Sequence, residues 1–141
     1  MATSAKNGAR TAARGHRRTR ADHAAETAED YVEAIATLIE EGGQCRVVDL
    51  AERLGVSHVT VIRVVQRLVE QGLAKTEPYR PVELTAKGRR LARDCRARHE
   101  TVVAFLRKLG VSEKVAAVDA EGIEHHLSDE TLSRMREFLS R

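Results

Sequence analysis

Three groups of side chains in this 141-residue chain could do chemistry together. Asp30 and Glu33 stand three positions apart, so on a helix their carboxylates share a face. Glu121, Glu124 and His125 follow at i, i+3 and i+4 in the run Asp119-Ala-Glu-Gly-Ile-Glu-His-His126. His99 sits in the middle of a long helical stretch between them. Like charges at helical spacing repel mildly and gain from a cation. Carboxylate and imidazole donors without thiolate suit Mn²⁺ or Fe²⁺ in high coordination better than a tetrahedral thiolate zinc site. So many donors also have room for two ions bridged by carboxylates. Affinity alone leaves Co²⁺, Ni²⁺, Cu²⁺ and Zn²⁺ open. His126 projects about 100° around the helix from His125 and is expected outside the same coordination shell. Taken by themselves, Asp30 and Glu33 read as a solvated helix face with acids favoured early by the dipole.

Metal-carboxylate sites also hydrolyse, which makes a metallohydrolase the rival class. His99-Glu100 begins like a zinc-protease helix, but the position that needs the second His is Val103. There is no Gly-x-Ser-x-Gly, no phosphate-cradling loop ending in Lys-Ser/Thr and no oriented Cys-His pair. Cys45 and Cys95 are too far apart for a paired-Cys zinc site and read as ordinary small residues. The chain is therefore expected not to be an enzyme.

The elements that must position these groups are helical. Ala28, Val32, Ile35, Ala36 and Ile39 recur at helical spacing and predict a helix over 24–41, stopped by Gly42-Gly43. A second helix over 47–54 ends at Gly55. Ser57 caps a third, to about 71, whose Val61, Val64, Val65 and Leu68 form one apolar stripe. Residues 73–77 and 82–84 read as a hairpin around Pro78 and Pro81. Thr85, Ser112 and Ser128 then cap helices over about 86–109, 113–127 and 129 to the C-terminus. Helix, short helix, the turn Leu54-Gly55-Val56-Ser57, capped helix and hairpin is the winged helix-turn-helix order. The fold class is mostly α, with a small β-hairpin wing and an all-helical second part.

Residues off the buried stripe would face a DNA groove. His58, Thr60, Arg63 and Arg67 belong to this set, with Ser57 at the helix cap. Arg63 is the first candidate for a base or phosphate contact, because Arg can chelate guanine edges through two donors. Arg46, Arg67 and the wing's Arg80 suit phosphate contacts, which position without reading sequence. Val59 and Ile62 would suit thymine methyl groups.

Charge is segregated along the chain. Residues 1–21 hold six bases and no acid; residues 22–45 hold seven acids and no base. Residues 46–98 hold 12 bases against six acids. A basic block beside an acidic one suggests one surface for a polyanion and another for cations. Residues 1–22 read as a disordered basic arm that can touch phosphates. The longest stretch without a charged residue is nine, so no segment spans a bilayer, and the Arg-dotted N-terminus has no secretory apolar block; the expected location is cytoplasmic. Four aromatics and no Trp make a stacking platform for single strands a poor fit.

These residues resemble the diphtheria-toxin-repressor family of metal-dependent regulators, and most closely its manganese branch. The resemblance is carried by Glu29-Asp-Tyr-Val-Glu-Ala-Ile35, Ala51-Glu-Arg-Leu-Gly-Val-Ser57, Leu84-Thr-Ala-Lys-Gly88, Arg98-His-Glu100 and the highly specific Asp119–His126 run. It implies a binuclear Mn²⁺ site on Asp30, Glu33, His99, Glu121, Glu124 and His125. In iron-sensing relatives Met and Cys stand at the places of Asp30 and Glu121, so the oxygen donors here favour Mn²⁺. It further implies a winged-helix domain over 23–92, a helical metal-binding and dimerisation domain over 93–141, and a homodimer that binds palindromic double-stranded DNA. The implied function is repression of manganese uptake genes with Mn²⁺ as co-repressor; an iron-responsive or broad-specificity divalent-metal regulator is the alternative. The wing departs from the family pattern, with Tyr79-Arg80-Pro81 where Gly often follows the Arg.

Overall fold

A computed structural model describes residues 23–141, and the basic arm expected over 1–22 lies outside the described residues. Helix α1 runs over residues 23–42 and buries Tyr31, Val32, Ala34 and Ile35. Val32 and Ile35 are wholly enclosed, which is worth roughly 1.5–3 kcal/mol for each. At the front of α2 (Val47–Leu54) the Asp49 carboxylate accepts the Arg46 N–H at 2.9 Å. Gly55 ends α2 in the left-handed region at φ 65°, a conformation in which a side chain would be strained. Ser57 then caps α3 (His58–Glu70) by accepting the Thr60 N–H at 3.2 Å. Val61, Val64, Val65 and Leu68 are buried, as their spacing predicts.

Strands β1 (Ala74–Lys75) and β2 (Glu83–Leu84) pair antiparallel, with Ala74 opposite Leu84 and Lys75 opposite Glu83. The arms are shorter than the predicted 73–77 and 82–84. Pro78 and Pro81 offer no N–H to a ladder, and between them Tyr79 takes a left-handed φ of 64° with its side chain fully exposed. The Val82 N–H donates to the Cys45 carbonyl at 2.7 Å, which ties the wing to the segment leading into α2.

Helix α4 (Ala86–Lys108) is shared by both parts of the molecule. Thr85 caps it, accepting the Gly88 N–H at 3.0 Å while its own hydroxyl donates to the Gly72 carbonyl at 2.6 Å. Gly88 packs so tightly on the Leu73 backbone that a Cβ there would lie 2.0 Å from the Leu73 oxygen. The first apolar cluster runs from Tyr31 on α1 to Ala92 on α4; a second joins Val102 of α4 to Ala120 and Leu132. The second cluster is built by α5 (Glu113–Ile123), a 3₁₀ turn (Glu124–His126) and α6 (Asp129–Leu139), with Phe105 and Phe138 edge to face at 5.4 Å. The predicted single helix over 113–127 is thus broken. Ser128 accepts the Thr131 N–H to start α6, Leu127 before it is extended, and the turn ahead of both tightens. Glu121 therefore stands on α5 while Glu124 and His125 stand on the turn. No helix among the described residues is long and apolar enough to cross a membrane.

Candidate metal centre

Three segments far apart in sequence meet between α1, α4 and the turn after α5. From α1 come Glu29, Asp30 and Glu33; from α4, Arg98 and His99; from the turn, Glu124 and His125. The turn brings Glu124 inside, its side chain 2% exposed, where Oε2 shares a 2.6 Å hydrogen bond with His99 Nδ1. His125 is 1% exposed and hydrogen-bonds through Nδ1 to Glu29 Oε2 at 2.6 Å. An ionised carboxylate only accepts, so this bond puts a proton on Nδ1 and, in the neutral ring, leaves the lone pair on Nε2. Arg98 pairs with the other Glu29 oxygen at 2.8 Å, balancing its charge and holding its plane.

His125 Nε2 is buried and, among the described residues, has no hydrogen-bond partner. Asp30 Oδ1 lies 3.0 Å from it and Glu124 Oε1 3.4 Å. A buried imidazole nitrogen that makes no hydrogen bond and faces two carboxylates fits a hard divalent cation bound through N and O donors. The electrostatics agree. Burial and then neighbouring charges, Glu26 and Glu121 among them, hold the Asp30 carboxyl above its ordinary range despite the opposing pull of His125. Glu33 is raised by burial and then by Glu121. Burial pushes Glu124 up to about 7. For His125, burial favours the neutral ring, but the Glu29 hydrogen bond and the charges of Asp30 and Glu124 outweigh it and raise its pKa. Carboxylates that resist ionisation beside one another are those a divalent ion would relieve.

Of the six predicted metal residues, the structure brings four into direct contact here, and Glu121 is exposed. Asp30, His99, Glu124 and His125 are linked by direct contacts, whereas Glu121 acts on Asp30 and Glu33, and Glu33 on Glu124, through charge. Sequence reasoning missed Glu29 and Arg98, and it missed Glu26, one turn before Asp30, whose carboxylate belongs with Asp30 and His125 in a group of donor atoms within 4.8 Å. The i, i+4 spacing of Glu26 and Asp30 was the available signal. His126, expected in an outer role, points its Nε2 at Glu26 Oε2 at 3.3 Å. Neither cysteine joins the cluster as a thiolate: burial pushes the Cys45 thiol up to about 11 and the Cys95 thiol up to about 12.

Helix α3 exposes His58, Val59, Thr60, Ile62, Arg63, Gln66 and Arg67. Val59 is 66% exposed and Ile62 47%, large apolar side chains left facing solvent. Ser57 and Thr60 hydroxyls share a 3.0 Å hydrogen bond at the helix start. Arg46 is exposed before α2, and Arg80 sits on the wing in an exposed pair with Glu77 at 3.2 Å.

Comparison with known proteins covers both parts of the chain. Residues 23–82 match the model described as "iron dependent repressor, N-terminal DNA binding domain", and residues 85–141 match "iron dependent repressor, metal binding and dimerisation domain". The transcriptional regulator MntR of Escherichia coli is 50% identical over 124 residues, covering 88% of this chain and 80% of that protein. The HTH-type transcriptional regulator MntR of Geobacillus kaustophilus is 46% identical over 107 residues, 76% of each chain. A solved manganese-dependent transcriptional repressor in complex with manganese superposes with a TM-score of 0.72 at 35% identity, over 80% of this chain and 52% of that one. The chain spans about half the length of several of the solved structures it matches. With both halves matched and half of the 124 aligned residues identical to an MntR regulator, the chain belongs to the iron-dependent, diphtheria-toxin-repressor family of transcriptional regulators, in its MntR group.

Proposed function

We propose that the chain is a Mn²⁺-dependent DNA-binding repressor of manganese uptake genes, acting in the cytoplasm as a homodimer on a palindromic operator. The observation that carries this reading is the buried, unpartnered His125 Nε2 facing carboxylates from α1 and from the turn after α5. Asp30, Glu33, His99, Glu121, Glu124 and His125 are the ligands, and we assign them two Mn²⁺ per subunit. Bound there, the divalent ions supply positive charge that cancels the repulsion among these carboxylates and fixes α1 against α4 and the turn. Oxygen donors at Asp30 and Glu121, with both thiols buried and protonated, favour Mn²⁺ over the softer metals. We assign no catalytic residue; the relatives are transcriptional regulators.

The division at residues 92 and 93 follows the change from one apolar cluster to the other along α4. Because α1 packs in the first cluster while its Glu29 and Asp30 reach His125, closure of the site sets how the winged helix sits on the rest of the subunit. Val115 and Val118, 48% and 67% exposed on α5, supply an apolar face for the second subunit. Fixing two winged helices in one dimer fixes the spacing of two half-sites at about one helical turn or a multiple. Arg63 reads a base or grips a phosphate. Arg46, Arg67 and Arg80 contact phosphates, while Ser57, His58 and Thr60 line the same edge of the groove. Metal and DNA are then coupled ligands, each tightening the other by the same factor.

The test is an operator-binding titration of the full chain with Mn²⁺, Fe²⁺, Co²⁺ and Zn²⁺. Mn²⁺ is expected to tighten binding strongly in wild type and not in Glu121→Ala, whose cation-free fold should match wild type. Equal operator affinity with and without Mn²⁺ refutes the reading, and preferential response to Fe²⁺ moves it to the iron-responsive alternative.

A further inference from the structure

We propose that Glu26 is a seventh donor of the cation site, its carboxylate binding the same ion as Asp30 and His125 at the solvent-facing edge of the cluster. This rests on the reading of the cluster as a divalent-cation site, but it concerns a residue that neither the spacing argument nor the family ligand set includes. Glu26 lies four residues before Asp30 on α1, which places the two carboxylates one above the other on one face. One donor atom each from Glu26, Asp30 and His125 falls within 4.8 Å of the other two. Two donors on one ion can be separated by no more than twice a metal–oxygen distance of roughly 2.0–2.6 Å, so the three are already near ligating separation.

The independent observation is His125 Nε2, on a side chain 1% exposed, which lacks a hydrogen-bond partner and is aimed into this corner. Two acids at i, i+4 repel when nothing lies between them. Among the described residues Glu26 has one other partner, His126, at 3.3 Å and with side chains 31% and 45% exposed. An exposed pair of that kind is weak, too weak to compete with a divalent ion for the carboxylate. The pair with His126 thus leaves the Glu26 carboxylate available to an ion. A further hard oxygen donor adds charge to the half of the site that holds Asp30 and His125, and favours Mn²⁺ over metals that prefer nitrogen or sulfur.

The experiment is a Mn²⁺ titration of the full chain, followed by the paramagnetic resonance signal of free aqueous Mn²⁺, on wild type, E26Q, H126A and D30A. Cation-free thermal melts on the same samples establish that each is folded. E26Q is expected to weaken the affinity for one Mn²⁺ by about tenfold or more, while H126A binds as wild type or tighter. Wild-type affinity in E26Q overturns the proposal, as does an equal loss in E26Q and H126A, which would make the Glu26–His126 pair merely structural. If D30A also binds as wild type, the cation reading of the whole cluster falls with it.

Discussion

Glu29 and His125 stand 96 positions apart in the chain, yet their side chains meet at 2.6 Å, carboxylate oxygen to ring Nδ1. This contact joins α1 to the turn after α5 and decides which nitrogen of a buried imidazole is free. Arg98 completes it from α4 at 2.8 Å. A carboxylate that orients a ligating histidine raises its donor strength and restricts its rotation.

Glu29→Ala is therefore expected to lower Mn²⁺ affinity by about 10- to 100-fold without removing a ligand. Nitrogen NMR of His125 in the cation-free chain should show the loss of its single tautomer. Retention of one tautomer and of wild-type affinity would mean that Glu29 only packs.

The pH response has a definite sign. Asp30, Glu33, Glu124 and His125 all have pKa values raised in the folded chain, Glu124 from 4.5 to about 7. A raised pKa stabilises the fold below the unfolded value, and that stability is lost as pH rises through the folded one. The cation-free chain should melt lower at about pH 8 than at about pH 5, and Glu124→Gln should flatten that slope. Added Mn²⁺ should act in the opposite sense, raising the melting temperature more at the higher pH, where the carboxylates are ionised. Calorimetry with and without chelator measures both.

Arg63 is exposed on α3, away from the cluster, and Arg63→Ala should weaken operator binding of the Mn²⁺-loaded chain by about 1–3 kcal/mol. Its Mn²⁺ affinity in the absence of DNA should be that of wild type. If the loss is equal on specific and random DNA, Arg63 grips phosphate; if it is confined to the operator, Arg63 reads a base.

Gly88→Ala should destabilise the chain by about 3 kcal/mol, since its Cβ would meet the Leu73 carbonyl at 2.0 Å and the backbone must move. Denaturant unfolding checks this. A change under about 0.5 kcal/mol would mean that α4 slides freely on the wing.

Local signals in the chain determined the elements. Gly55, Ser57, Thr85 and Ser128 start and stop helices through their own backbone geometry and hydroxyls, and the Val61–Leu68 stripe declares its buried face by period alone. The donor types at Asp30, Glu33, His99, Glu121, Glu124 and His125 likewise announce cation chemistry, because like charges gathered at helical spacing need a counter-charge. What no local pattern carries is which groups meet across helices. Tertiary packing alone turned Glu29, an acid without ligand spacing to any histidine, into the orienting partner of His125, and it placed Arg98 behind it. It also ended α5 at Ile123, because the chain had to reverse into α6, and so swung Glu124 inward while leaving Glu121 exposed. Periodicity records a residue's own helix face; distances between side chains on different helices follow from how those helices dock, and docking is set by the two apolar clusters as wholes.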